Sequence, residues 1–330
     1  MFELKNKLKG KVICITGASG YIGSSLVSQL SNYPVKKIIR ISRKKLKPLK
    51  NIEDWILDLN ELNSWLKIVK CSDIIFHLSG NTSIAVAENA PEKTLISEIL
   101  PIKNLVKASK ELGRNPRVIY TSTATIYGLT EKLPIEESHN PVPITCHDNN
   151  KLQTEKYLEI ASKENAVDSV SLRLSNVYGP SLNESSACDR GILSKITKMC
   201  FENKTIPLYG SGNYIRDYVY IDDVISALLL TSIVNYTKIR KNSEIVFNVS
   251  SGKGTYVKTV FYLIAKEVEI ITSKNINIES APWPSQVSEI EKRNFIGSAE
   301  RLKSLTGWSA KTSIEDGVHF LVNHYSKEFM

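Results

Sequence analysis

The stretch Lys11–Gly23, KVICITGASGYIG, constrains the fold more than any other part of the chain. Val12, Ile13, Cys14 and Ile15 make a short apolar run rich in β-branched residues, which suits a parallel strand covered on both faces. Gly17, Gly20 and Gly23 then recur at every third position. In a strand–turn–helix unit the first glycine permits the tight turn, the second lets backbone approach a pyrophosphate, and the third lets helix pack on strand. A helix starting near Tyr21 aims its unpaired N–H groups and the positive end of its dipole at the phosphates. The stretch therefore predicts the first βαβ unit of a dinucleotide-binding sheet.

Strand and helix signals alternate through the first half, which predicts an α/β chain with a parallel sheet. Helices are expected over Tyr21–Leu30, Leu62–Val69, Thr94–Leu112 with a kink at Pro101, and Lys151–Lys163. Strands are expected over Lys36–Ile41, Asp54–Leu57, Asp73–Leu78, Arg117–Thr121 and Ser169–Leu174. After Tyr178-Gly179-Pro180 the pattern changes to a polar loop, Ser181–Gly191, and a helix over Ile192–Phe201. Further on, Tyr214–Ile221 reads as extended, Asp222–Thr231 as helix, Val246–Val249 as strand and Val257–Val268 as helix. The tail holds a short strand from Asn275, a proline-rich bend at Ala281–Ser285 and a last helix after Thr312. There is no internal repeat.

At 330 residues and 42% hydrophobic, the chain has material for one large core plus a second lobe. It has no apolar run of membrane-spanning length, and MFELKNKLKG carries no signal-peptide core and leads directly into the first strand. Cys14, Cys71, Cys146, Cys188 and Cys200 are scattered, without a CxxC or a metal-like cluster, so reduced thiols, a cytoplasmic location and no metal are expected. The net charge of +9 raises the question of nucleic acid. Its lysines are spread along the chain, however, and the densest patch, Arg40–Lys50, ends the second strand, where a dinucleotide site accounts for it. Neither nucleic acid nor membrane is expected as a partner.

The fifth strand runs into Thr121-Ser122-Thr123-Ala124-Thr125-Ile126-Tyr127-Gly128. Hydroxyl residues at the carboxyl end of a central strand lie at the crevice where doubly wound sheets bind ligands, although capping of a strand end would use the same residue types. Together, TGASGYIG, HLSG, TSTATIYG, Lys151 with Glu155 four residues on, LRLSNVYGP, RDYVYIDDV and FNVSSG form an ordered set over residues 10 to about 320. This set resembles the extended short-chain dehydrogenase/reductase superfamily, and within it the nucleotide-sugar epimerases and dehydratases of the UDP-glucose 4-epimerase type.

The resemblance implies a modified Rossmann fold, a doubly wound, mostly parallel sheet of seven strands with a smaller α/β substrate-binding lobe. Residues 1–178 would form the dinucleotide-binding domain, with a strand and helix from about 214–250 interleaved, and 179–330 mainly the nucleotide-sugar lobe. It implies that Gly17, Ser19, Gly20, Tyr21, Ile22 and Gly23 cradle the cofactor pyrophosphate, and that Asp58 and Leu59 contact adenine. Asp58 also suits a helix N-cap. Leu78, Ser79, Gly80, Thr121 and Ser175 would lie against the cofactor, while His77 reads as a structural strand residue. Asn176, Arg190, Tyr209, Arg216 and Arg293 would bind substrate, with Arg216 clamping the diphosphate and Arg293 as a second phosphate contact. Asp217, Asp222 and Asp223 read as structural. The family also implies a homodimer, through the helices at Thr94–Leu112 and Lys151–Lys163.

Two departures from the family pattern matter. The acidic residue that binds the adenosine ribose in NAD-using relatives is replaced at Ser42, with Arg43, Lys44 and Lys45 following, so NADP is favoured and NAD remains possible. The catalytic tyrosine four residues before Lys151 is replaced by His147, and the partner serine by Thr123. A neutral imidazole is a competent general base, kept neutral by nearby positive charge. The alternative is a non-catalytic replacement in a protein that still binds dinucleotide.

The expected function is an NAD(P)-dependent nucleotide-sugar epimerase acting through a 4-keto sugar, with Thr123, His147 and Lys151 as catalytic residues. Its product would feed polysaccharide or lipopolysaccharide building. A nucleotide-sugar 4-keto reductase using NADPH is the second possibility, and a catalytically altered NAD(P)-binding protein the third. A dehydratase fits less well, because Ala124-Thr125 stands where an Asp-Glu pair is usual.

Overall fold

The computed structural model describes residues 2–182, 191–241, 245–285 and 287–329. Through the first half the elements are α1 (Phe2–Leu8), β1 (Val12–Thr16), α2 (Tyr21–Leu30), β2 (Lys37–Ser42), β3 (Ile52–Ile56), α3 (Leu62–Cys71), β4 (Ile74–His77), α4 (Ile84–Asn89), α5 (Pro91–Leu112), β5 (Arg117–Thr123), α6 (Cys146–Lys163) and β6 (Asp168–Leu174). The second half adds β7 (Asn176–Tyr178), α7 (Ile192–Phe201), β8 (Ile206–Tyr209), β9 (Ile215–Tyr220), α8 (Ile221–Ile233), α9 (Tyr236–Lys241), β10 (Val246–Val249), β11 (Gly254–Tyr256), α10 (Val257–Thr272), β12 (Ile278–Ala281), α11 (Glu300–Thr306) and α12 (Ile314–Phe329).

Seven strands form one parallel sheet in the order β10-β6-β5-β4-β1-β2-β3. β1 lies between β2 and β4, so the strand order reverses there, and the crevice beyond the carboxyl ends of β1 and β4 is the place where such sheets bind ligands. Alternate residues of β1 face opposite sides, as the pleat requires. Ile13 and Ile15 pack with Leu26 and Leu30 of α2 and Val224 and Leu228 of α8. Cys14 packs on the other face with Trp65 and Ile68 of α3, Leu105 of α5 and Leu158 of α6. Burial of each such aliphatic side chain stabilises by about 1.5–3 kcal/mol, which is why the two helix layers cover the sheet. A three-stranded sheet, β11-β9-β7, and a parallel pair, β12-β8, lie apart from the large one.

The structure corrects several boundaries. The N-terminal residues do not run straight into β1: Leu4 and Leu8, one helical turn apart, are buried on one face of α1. α5 starts at Pro91 and continues as one helix through Pro101. α6 starts at Cys146, a turn before Lys151, because the Thr145 hydroxyl caps it by accepting the Asp148 N–H at 3.1 Å. Asp58 is not a helix cap: α3 begins at Leu62, and Asp58 instead accepts the Asn60 N–H at 2.9 Å within a turn. Among the described residues, no helix is long and apolar enough to cross a membrane.

Candidate active site

The glycine turn is built tightly against β4. Gly17 has φ +66°, and a Cβ there would stand 2.8 Å from the backbone of both Leu78 and Ser79. A Cβ on Gly23 would stand 2.2 Å from the Gly17 carbonyl, so the third glycine lets α2 sit on the turn. Gly20 precedes α2 in extended conformation, and Ser19, Tyr21 and Ile22 complete the turn and the first residues of the helix. The Tyr21 hydroxyl donates to the Gly179 carbonyl at 2.9 Å, tying the turn to the Tyr178-Gly179-Pro180 segment.

Thr16, at the end of β1, holds the next turn in place. Its hydroxyl oxygen accepts the N–H groups of Leu78 and Ser79 at 3.2 and 3.3 Å and meets His77 Nδ1 at 3.0 Å. His77 is buried, and burial pushes its pKa down to about 4, with the nearby Lys151 charge acting in the same direction and Glu98 against it. It is a neutral, structural histidine. Leu78 and Ser79 are half-buried, and Gly80 passes close over the pair Glu98–Lys151, where a Cβ would fall 2.7 Å from Glu98 Oε2.

At the end of β2, the Ser42 hydroxyl donates to the Lys44 carbonyl, and Arg43, Lys44 and Lys45 are exposed. Arg40 is buried and spent on Asp54, with contacts of 2.6 and 2.8 Å. Asp58 is exposed nearby in sequence, and Leu59 is half-buried with its carbonyl taken by Trp65 Nε1.

Lys151 reaches from α6 to the end of β5. Its Nζ lies 2.6 Å from Glu98 Oε1 and donates to the Thr121 carbonyl at 3.2 Å. Tyr120 donates to the same Glu98 oxygen at 2.8 Å. Burial raises the Glu98 carboxyl pKa, but the charge and hydrogen bond of Lys151 and the bond from Tyr120 outweigh it and hold it below its ordinary value. Glu155, the family-like glutamate after Lys151, does not pair with it: it faces β6 and takes Arg173 at 2.7 Å. Glu98 was invisible to sequence reasoning because α5 and α6 meet only in the fold.

Thr123 ends β5 and caps the short 3-10 turn Ala124–Tyr127 by accepting the Thr125 N–H. The Thr123 and Thr125 hydroxyls are 2.8 Å apart, and Thr125 donates to Asp148 Oδ1. The same oxygen lies 3.2 Å from His147 Nδ1. Asp148 is fully buried, and its Oδ2 has no partner among the described residues. Burial raises its pKa, and the hydrogen bonds from His147 and Thr125, with Thr145 beside them, more than reverse that and hold the carboxyl below its ordinary value. The histidine's position was readable in the sequence; the signal for its carboxylate was only the adjacent residue.

Arg216 and Arg293 are both buried. Arg216 donates to the carbonyls of Ile215, Glu291 and Arg293, and Arg293 to that of Ile290. Arg293 Nε has no partner among the described residues. Burial and then the Arg216 charge push Arg293 down to about 10. The two guanidiniums thus share a desolvated region with carbonyl acceptors and, among the described residues, no carboxylate in hydrogen-bond contact. Asn176 donates to the Asp217 carbonyl at 3.2 Å, and Ser175 meets Ser250 at 2.5 Å. Tyr209 is exposed at the end of β8 and stacks on Trp283 with centroids 5.7 Å apart. Arg190 and Cys188 lie outside the described residues. Asp217 accepts the N–H groups of Ser251, Gly252 and Gly297, and Asp223 those of Lys311 and Thr312; both are structural. Cys14, Cys71, Cys146 and Cys200 are free thiols, and no metal-binding cluster occurs among the described residues.

A Rossmann-like α/β sheet with a glycine turn at its reversal point defines a class of dinucleotide-binding architecture. Residues 13–249 match the model of the NAD dependent epimerase/dehydratase family, and the chain belongs to that family of nucleotide-sugar epimerases and dehydratases. The UDP-glucose 4-epimerase of Thermotoga maritima, solved with UDP-glucose, is 27% identical, with a TM-score of 0.82 over 97% of this chain and 100% of that one. The dTDP-D-glucose 4,6-dehydratase of Mus musculus is 26% identical over 97% of this chain and 90% of its own length. RMD of Pseudomonas aeruginosa, solved with NADPH, shares the fold at 21% identity, with a TM-score of 0.77 over 96% of this chain and 99% of that one.

Proposed function

We propose that the protein is an NAD(P)-dependent nucleotide-sugar epimerase that acts through a 4-keto sugar. The observation that carries this reading is the buried Arg216–Arg293 pair, whose Arg293 lies within electrostatic reach of Asp148 in the Thr123–His147 cluster. Two cations without a carboxylate partner among the described residues suit a substrate diphosphate, because bidentate guanidinium contacts match phosphate oxygens and an anion relieves the repulsion within the pair. With the diphosphate there, the sugar extends toward Thr123 and His147. Asn176 and Tyr209 line the substrate side, and Trp283 backs Tyr209.

The glycine turn, Leu78–Gly80, Thr121, Ser175 and Lys151 would hold the dinucleotide, and their geometry fits one: the turn admits no side chain at Gly17 and brings backbone N–H groups to a helix start. A bound nicotinamide supplies reversible hydride acceptance. Thr123 orients the sugar hydroxyl, His147 takes its proton as the ketone forms and returns it afterwards, and Lys151 anchors the cofactor ribose. Ser42 and the exposed Arg43–Lys45 favour a 2′-phosphate, hence NADP over NAD.

Replacing His147 by alanine should lower turnover of a responsive UDP-, GDP-, CDP- or dTDP-sugar by about 100-fold or more. His147→Tyr should preserve or raise it. Unchanged turnover in the alanine variant overturns the role of His147. The basic Ser42–Lys45 segment also favours a second reading, a 4-keto reductase; net NADPH consumption with a 4-keto sugar distinguishes it, since an epimerase consumes none. A homodimer through α5 and α6, which expose Ile96 and Ile160, belongs to the same proposal and is checked by light scattering.

A further inference from the structure

We propose that Asp148 is the positioning residue of a His147–Asp148 pair, and that the proton-handling unit of this site is that pair rather than the histidine alone. The inference rests on the proposed epimerase reading only in assigning the sugar hydroxyl as the proton's source.

Asp148 occupies the third position of α6, after the cap Thr145. A carboxylate there ordinarily turns back to the backbone N–H of the capping residue. Asp148 does not. Its Oδ1 takes Thr125 Oγ1 and His147 Nδ1 instead, while its own N–H serves the Thr145 hydroxyl. The carboxylate is thus held by side chains, Thr125 and His147, with the Thr145 hydroxyl beside it. Its Oδ2 is buried without a partner among the described residues, which costs free energy that a purely structural cap would not incur.

An ionised carboxylate only accepts hydrogen bonds. The His147 contact therefore places the imidazole proton on Nδ1 and leaves the lone pair on Nε2, which has no hydrogen bond among the described residues. Nε2 is the nitrogen available to the sugar hydroxyl. When it takes the proton, the imidazolium forms beside a desolvated carboxylate that stabilises it, and the proton goes back by the same route. Thr125 gives its single proton to Asp148, so without substrate the Thr123–Thr125 contact runs from Thr123 to Thr125, and Thr123 turns that proton to the sugar oxygen when substrate binds. That chain anchors Asp148 independently of His147. The other charges near the pair among the described residues are Lys151, balanced by Glu98, Glu88 of α4, which takes the Cys146 N–H at 2.8 Å, and Arg293, which favours ionised Asp148. An imidazole shorter than a phenol is thereby held in one tautomer and one direction.

The test is the tautomer of His147, read by two-bond proton–nitrogen spectra of the labelled full-length protein without substrate at about pH 8.5, above the usual imidazole range. The resonance is assigned by its loss in His147→Gln. The expected wild-type result is a protonated Nδ1 and a bare Nε2. In Asp148→Ala the tautomer should shift toward Nε2–H, and kcat should fall by about 100-fold with KM changed far less. Asp148→Glu should restore part of both. A wild-type His147 with its proton on Nε2, or an unchanged tautomer in Asp148→Ala, overturns the proposal. If the alanine variant does not fold, the wild-type spectrum alone decides. The outcome separates cleanly from the function: an Nδ1–H tautomer in a protein that turns over no nucleotide sugar sinks the epimerase reading and leaves the pair standing, whereas turnover with an Nε2–H tautomer does the reverse.

Discussion

Glu98 Oε1 stands 2.6 Å from Lys151 Nζ, and both side chains are buried. The lysine that the family pattern assigns to cofactor anchoring is thus charge-balanced from α5, with Tyr120 completing the carboxylate's contacts. Removing one member of a buried pair leaves an unpaired charge at a cost of about 3–5 kcal/mol, whereas removing both relieves two desolvation costs together. Glu98→Leu should therefore lower the unfolding free energy by about 3 kcal/mol or more, and Glu98→Leu with Lys151→Met should cost less than the sum of the single changes. Urea denaturation of the four proteins measures the coupling; strict additivity would contradict it.

Gly17 cannot carry a side chain. Its positive φ costs another residue about 1–3 kcal/mol, and a Cβ would press on the backbone of Leu78 and Ser79. Gly17→Ala is expected to lower the melting temperature and weaken dinucleotide binding together. Calorimetric titration with NADPH and NADH, beside a thermal melt, checks both. Gly20→Ala meets only the Gly17 carbonyl at 3.1 Å, so it should melt closer to wild type.

His77 makes stability depend on pH. Its folded pKa of about 4 is depressed from the ordinary 6.5, so between those values the unfolded chain binds a proton that the folded chain excludes. The contribution is fully present above pH ~6.5 and is lost as pH falls toward about 4, amounting to about 3 kcal/mol. His324, whose pKa burial also lowers, acts in the same direction. Asp217, whose carboxyl burial raises to about 6, opposes them in the same window, because there the folded chain holds a proton that the unfolded chain takes up only near 3.8. Between neutral pH and about pH 5, His77→Asn should therefore lose less stability than the wild type, read from the denaturation midpoints, while His324→Gln stays close to the wild-type slope.

Cofactor choice should follow the end of β2. Ser42→Asp with Arg43→Ser places a carboxylate where a 2′-phosphate would sit and removes a cation. NADPH affinity should drop by about tenfold or more relative to NADH, a change of about 1.4 kcal/mol. Equal affinities in the wild-type protein would remove the basis for preferring NADP.

Arg293 should matter more to substrate than to the fold. Its charge is buried beside Arg216, so Arg293→Met removes a like-charge repulsion. The variant should keep its melting temperature without ligand within a few degrees, or gain, yet lose most of the stabilisation that UDP or a UDP-sugar confers. A variant stabilised by UDP as strongly as wild type would place the diphosphate elsewhere.

Local patterns carried much of this protein. Gly17, Gly20 and Gly23 after a β-branched run were readable because a turn's steric demands act within a few residues, and the helix over Tyr21–Leu30 and strand over Val246–Val249 appear where the periodicity places them. α6 starts a turn before its apolar periodicity predicts, because Thr145 caps a polar first turn, CHDNN, that carries no such periodicity. α1 is not legible in the sequence, because seven residues with two buried leucines give too weak a pattern.

The sequence by itself determined the parallel sheet, the glycine turn, and the identity of the odd residue at the candidate site, His147. Backbone geometry and hydrophobic period are short-range properties, and they are written in neighbouring residues. Only the tertiary structure decided which charges meet. Glu155, one turn from Lys151, goes to Arg173, while Glu98, more than fifty residues away, takes the lysine. Arg216 and Arg293 converge although β9 and the tail are far apart in sequence, and Asp148 turns from helix cap to the histidine's partner. Electrostatic pairing depends on distance and burial, and both are properties of the packed chain.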